Sequence, residues 1–127
     1  VNFTFPKSER LNQKKVIEIL FQKDNPIVSQ QFVYPFRVLS LNQDTNYTTP
    51  QILISITKKR FKKAVDRNLL KRRTREAYRL HKPFFHEING KKLPQYIAFI
   101  YIGNTIESFQ KIEKKMIALL ELLHEKN

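Results

Sequence analysis

Twelve cationic side chains crowd into residues 58–82: Lys58, Lys59, Arg60, Lys62, Lys63, Arg67, Lys71, Arg72, Arg73, Arg75, Arg79 and Lys82. Asp66 and Glu76 alone oppose them there, so the segment carries a net +10 out of +13 for the whole 127-residue chain. Charge concentrated in one element, instead of spread as a solubilising coat, points to a polyanionic partner. Arg67, Lys71, Arg75 and Arg79 recur every four residues, flanked by Asn68 and Arg72. On a helix that spacing makes a cationic row about 18 Å long, at ~1.5 Å per residue. Like charges at i,i+4 cost an isolated helix a few tenths of a kcal/mol each, which an anion lattice would offset. Arginine predominates in the row, and a guanidinium forks two donors onto phosphate where solubility alone would be served by lysine. The chemistry is phosphate binding. Nucleic acid fits it better than a membrane or calmodulin-type partner, which needs a free apolar helix face that this helix must give to the core.

Nothing comparable supports catalysis by the chain's own side chains. Zero Cys excludes disulfides, thiolate nucleophiles and Cys-bound zinc, and fits a reducing, cytoplasmic setting. The eleven acids are dispersed, and His81, His86 and His124 have no metal-ligand spacing. No Gly-rich phosphate loop or nucleophile elbow occurs. Asp66 and Glu76 are expected to pair within the helix. Asn68 carries a carbonyl that could reach a magnesium ion, with RNA phosphates supplying the remaining ligands. No apolar run approaches the roughly 18–20 residues of a membrane span.

The elements that must position the basic row follow from periodicity. The length suits one domain spanning 1–127, with residues 1–11 an extended lead-in. Asn12 can cap a helix carrying Val16, Ile17, Leu20 and Phe21 on one side. From Ile27 to Leu41 the period switches to two, placing Phe32, Tyr34, Phe36 and Val38 on one face. Residues 51–57 are a second strong strand. The basic helix is predicted over 61–81, ended by Pro83, with Val65, Leu69, Leu70, Ala77 and Leu80 as its core-facing sector. Residues 96–102 are nearly continuously apolar and predict a central strand covered on both faces. A last helix over 108–126 buries Phe109, Ile112, Met116, Leu119, Leu120 and Leu123. The fold class is α+β, a single-domain sandwich of about four mixed strands and three helices in the order α-β-β-β-α-β-α.

The stretch Ala64-Val65-Asp66-Arg67-Asn68-Leu69-Leu70-Lys71-Arg72-Arg73-Thr74-Arg75-Glu76-Ala77-Tyr78 resembles the signature of the protein component of bacterial ribonuclease P, approximately A-V-x-R-N-x-x-K-R-x-x-R-E-A-[FY]. Arg10-Leu11, the helix with Ile17 and Phe21, and Gln31-Phe32-Val33 also look like that family's opening, so the resemblance covers roughly residues 8–122. Two departures stand out. Leu69 sits where the family often has Arg, which removes one RNA contact. Arg73 and Thr74 occupy commonly apolar places, which suggests a changed packing angle or an extra phosphate contact.

The resemblance implies a left-handed crossover around the basic helix, where general rules favour the right-handed one. It implies a protein without catalytic side chains, serving a large RNA that performs magnesium-assisted removal of the 5′ leader from precursor tRNA. Arg67, Asn68, Lys71, Arg72 and Arg75 match its RNA-contacting motif, and Lys58, Lys59, Arg60, Lys63 and Arg79 extend that surface by their charge. Ile17 and Phe21 match positions in a leader-binding cleft between first helix, sheet and basic helix, with Phe32, Tyr34 and Phe36 as strand contributors. Aromatics beside a positive groove suit single-stranded RNA, whose bases stack on them. The expected partners are ribonuclease P RNA and precursor tRNA, with magnesium held mainly by the RNA. The competing readings are a structural protein of another ribonucleoprotein, such as the ribosome, and a stand-alone nuclease.

Overall fold

The computed structural model describes residues 4–44, 46–85, 87 and 90–126; the first three residues of the expected lead-in, and His86, lie outside these. A 3-10 turn (Lys7–Glu9) precedes helix α1 (Lys14–Leu20). Strands β1 (Ser29–Val33), β2 (Phe36–Leu41) and β3 (Gln51–Ser55) follow, then helix α2 (Ala64–His81). A second 3-10 turn (Lys82–Phe85), strand β4 (Tyr96–Tyr101) and helix α3 (Phe109–Lys126) complete the order. The sheet runs β1-β2-β4-β3, antiparallel except for the parallel pairing of β3 with β4. This is the α+β class and element order expected.

Strand β4 explains why its sequence lacks alternation. It lies between β2 and β3, and all six of its residues are buried. Ile97, Phe99 and Tyr101 enter one core with Leu70, Ala77 and Tyr78 of α2 and Ile112, Met116 and Leu119 of α3. Tyr96, Ala98 and Ile100 enter another with Leu11, Val16 and Leu20 around α1. Fully burying a Leu or Phe side chain contributes about 1.5–3 kcal/mol, so neither face of the sheet can be left bare.

The alternating stretch over 27–41 is divided into a hairpin, β1 and β2. Tyr34-Pro35 forms its two-residue turn, with a cis peptide bond, and the register pairs Val33 with Phe36 and Phe32 with Arg37. Proline has no N–H for a ladder, so the chain reverses there. Phe36, expected among the leader contacts, is therefore wholly buried between the sheet and α2–α3, while Phe32 points to the α1 face and is 60% exposed.

The basic helix starts at Ala64, three residues later than expected, because Phe61 turns back to bond Thr57 and buries its ring. Its buried stripe is Leu70, Thr74, Ala77 and Tyr78. Val65 is 76% exposed and does not join the core, and Leu69 and Leu80 are half-buried. Thr74 can occupy a core position because its hydroxyl donates to the Leu70 carbonyl at 2.8 Å. Arg73 donates to the Glu107 carbonyl at 2.6 Å, tying α2 to the loop before α3 and using one of its five donors. Among the described residues no helix is long and apolar enough to cross a membrane.

Candidate nucleic-acid interface

Opposite its buried stripe, α2 presents Asn68, Arg72, Arg75 and Arg79, as a turn of 3.6 residues requires. Asn68 and Arg72 are exposed, and Arg75 is half-exposed. None of these three has a carboxylate partner among the described residues. Lys71 lies on the flank of this row, half-buried. Arg79 differs, because Glu76 one turn earlier grips its guanidinium. That hydrogen bond holds the Glu76 carboxyl below its ordinary value, and it raises Arg79 further. The expected helix pairing of Glu76 is thus present and halves the charge available at the row's far end.

Arg67 is aimed elsewhere than expected. One of its terminal nitrogens donates to the Phe61 and Lys62 carbonyls, at 2.8 Å each, and so knots the entry loop onto the first turn of α2. That nitrogen is used up, while the other terminal nitrogen and Nε keep donors for a phosphate. Arg60 behaves alike, donating to the Ile102 carbonyl at 2.8 Å and to Asn104 at 3.2 Å. Its acceptor loop is itself braced, since Tyr101 donates to the Thr105 carbonyl at 2.7 Å and accepts from the Glu107 amide. Lys58, Lys59, Lys62 and Lys63 stand exposed on the entry loop at the C-terminal end of β3. The exposed cations of the entry loop and of the outer side of α2 follow one another along the chain, part free and part fixed by backbone carbonyls.

Exposed aromatics gather on other elements. Phe21 closes α1 and is 44% exposed; Phe32 and Tyr34, from β1 and its turn, are more exposed still. Ile17 packs half-buried against the α1-side core. The basic helix packs on the opposite face of the sheet, so it is not a wall of the expected cleft. Instead the two surfaces approach at one end of the sheet. There the Ile102 amide bonds the Pro35 carbonyl at 2.8 Å, and the Ile102 carbonyl receives Arg60. Sequence reasoning missed Arg37, which faces Phe32 across the ladder and donates through Nε to Gln30 at 2.8 Å. Reading Tyr34-Pro35 as a turn would have put Arg37 beside Phe32 and supplied a cation within the aromatic patch.

Asn68 offers one amide oxygen where magnesium asks for six oxygens in octahedral array. Among the described residues no three His, Cys, Asp or Glu side chains gather as ligands.

A family model described as Ribonuclease P matches residues 5–124. The ribonuclease P protein component of Porphyromonas gingivalis is 34% identical over 116 residues, covering 90% of this chain and 82% of the relative. That of Dictyoglomus thermophilum is 35% identical over 122 residues, covering 94% and 91%. The solved structure of the RNase P protein from Thermotoga maritima superposes with a TM-score of 0.70 at 22% identity, covering 90% of this chain and 96% of that one.

Proposed function

The chain belongs to the ribonuclease P protein family, the protein component of the ribonucleoprotein that matures tRNA 5′ ends, and we propose that its two surfaces divide two RNA-binding tasks. Its partner in that particle is RNA. The entry loop and outward row, Lys58 to Arg75, dock the catalytic RNA through phosphates. The patch of Ile17, Phe21, Phe32 and Tyr34, with Arg37 among them, receives the single-stranded 5′ leader of precursor tRNA by stacking. On this reading phosphodiester hydrolysis belongs to the RNA, where magnesium would supply charge neutralisation and activation of the attacking water. The chain's own residues supply fixed positive charge, which lowers the number of ions needed to bring two polyanions together. Particle and protein work in the cytoplasm on this reading.

The observation that carries the docking surface is the exposure of Lys58, Lys59, Asn68 and Arg72, with half-exposed Arg75, none of them paired with a carboxylate among the described residues. About five phosphate contacts give a slope of log K against log salt of roughly −3.5 to −4.5. The test mixes the full chain with a bacterial ribonuclease P RNA at low magnesium and follows precursor-tRNA cleavage. Restored cleavage with that salt slope is expected, while catalytic-RNA binding that ignores Arg72→Ala and Arg75→Ala would overturn the assignment. A purely structural ribonucleoprotein role is disfavoured by the relatives and has no use for the exposed aromatics.

A further inference from the structure

At the end of α2 remote from the entry loop lies a half-open cavity of about 610 Å³ that the docking surfaces above do not use. Tyr78, on the last turns of α2, lines it and is only 1% exposed. Its hydroxyl makes no hydrogen bond among the described residues. Burial, with Glu9 nearby, pushes its phenol far up, so it stays a neutral O–H at any working pH. The oxygen is not sealed in the core but opens onto the cavity, so its O–H is a donor within a ligand's reach.

The rest of the lining defines that ligand's chemistry. Lys82 reaches the cavity but is paired with Glu9, both side chains nearly buried. Lys92 lies 3.9 Å from the centre of the Tyr47 ring and has Glu87 3.9 Å away. The charges cancel, so a free anion gains nothing here. What remains is a neutral donor, the hydroxyls of Thr48 and Thr49, and the rings of Tyr47 and Phe85. That combination suits a neutral planar heterocycle carrying its own acceptors. The outward row of α2 runs towards this mouth, Arg79 standing one residue beyond Tyr78 and Lys82 in its lining.

We propose that the cavity takes one unstacked nucleobase from the RNA that follows α2, stacked on the aromatic walls and bonded to the Tyr78 hydroxyl. Extruded bases of single-stranded segments are held by such aromatic and hydrogen-bonding pockets. The proposal rests on α2 facing RNA, and the two readings fail separately. In the complex of full-length chain and ribonuclease P RNA, Arg72→Ala with Arg75→Ala should erase the backbone footprint of α2. Tyr78→Phe should leave that footprint and instead expose a nucleobase to dimethyl sulfate or carbodiimide, with protection weakened about tenfold for one lost hydrogen bond. Thr49→Val, at an exposed position, repeats the test should the Tyr78 variant melt early. Adding precursor tRNA tells whether the protected base belongs to it or to the catalytic RNA; either supports the pocket. Base reactivities identical in wild type and both variants would overturn it, as would binding of free nucleoside monophosphate with no protected base in either RNA.

Discussion

Two solvent-facing regions of this protein offer opposite physics to a partner. The outer side of α2 and its entry loop is charged, and its arginines are partly pinned by backbone carbonyls at Phe61, Lys62 and Ile102. The α1 side of the hairpin exposes Phe21 and Phe32 beside Arg37, and Tyr34 stands exposed at the hairpin's turn. Phosphate attraction is long-ranged, salt-sensitive and blind to base identity. Stacking is short-ranged and nearly indifferent to salt. A protein with both can capture a large RNA by charge and sort a short strand by its unpaired bases.

The sharpest break between exposure and burial lies within one hairpin. Phe36→Ala should destabilise the fold by about 3–5 kcal/mol, whereas Phe32→Ala should change urea stability by under about 0.5 kcal/mol. Equal losses would mean that the hairpin register is wrong. Next in size, Arg72→Ala combined with Arg75→Ala should weaken catalytic-RNA binding about ten- to a hundredfold and flatten the salt slope by roughly 1.4–1.8. Phe32→Ala should cost about tenfold in binding of precursors with a leader, with no change in salt slope or catalytic-RNA affinity. A flattened slope in that variant would merge the two regions into one.

The smallest effect concerns Glu76. Its folded carboxyl titrates below the unfolded one, so its pairing with Arg79 stabilises fully above the ordinary carboxylate value and is lost as pH falls through the lowered one. Wild type should therefore exceed Glu76→Gln in stability at neutral pH, with the gap closing towards acid. The same variant should bind RNA slightly more tightly, because Arg79 is released to the row.

Much of this was legible before any coordinates. The +10 segment, the buried central strand and the α3 stripe each arise from one dominant pattern, and each stands where expected. What misled was pattern read without geometry. Phe32, Tyr34 and Phe36 alternate perfectly, yet Tyr34-Pro35 reverses the chain and sends the two phenylalanines to opposite faces. Val65 is apolar and by type belongs in the core, but on the first turn of α2 it faces away from the stripe that the sheet and α3 cover. Thr74 is polar and was left out, although bonding Leu70 satisfies its hydroxyl locally. The carbonyls that occupy Arg60 and Arg67 are invisible to composition, since every residue carries one. The cavity beside Tyr78 needs four separate chain segments to exist at all.

Strand β4 gives alternate residues to both cores, Ile97, Phe99 and Tyr101 on one side and Tyr96, Ala98 and Ile100 on the other. One party wall thus serves two rooms. Neither surface can be excised as a separate module, and neither can melt while its neighbour stays intact, so heat should dissolve the chain in a single cooperative step. A lesion anywhere along those six residues would disturb both surfaces together, whichever face it touched.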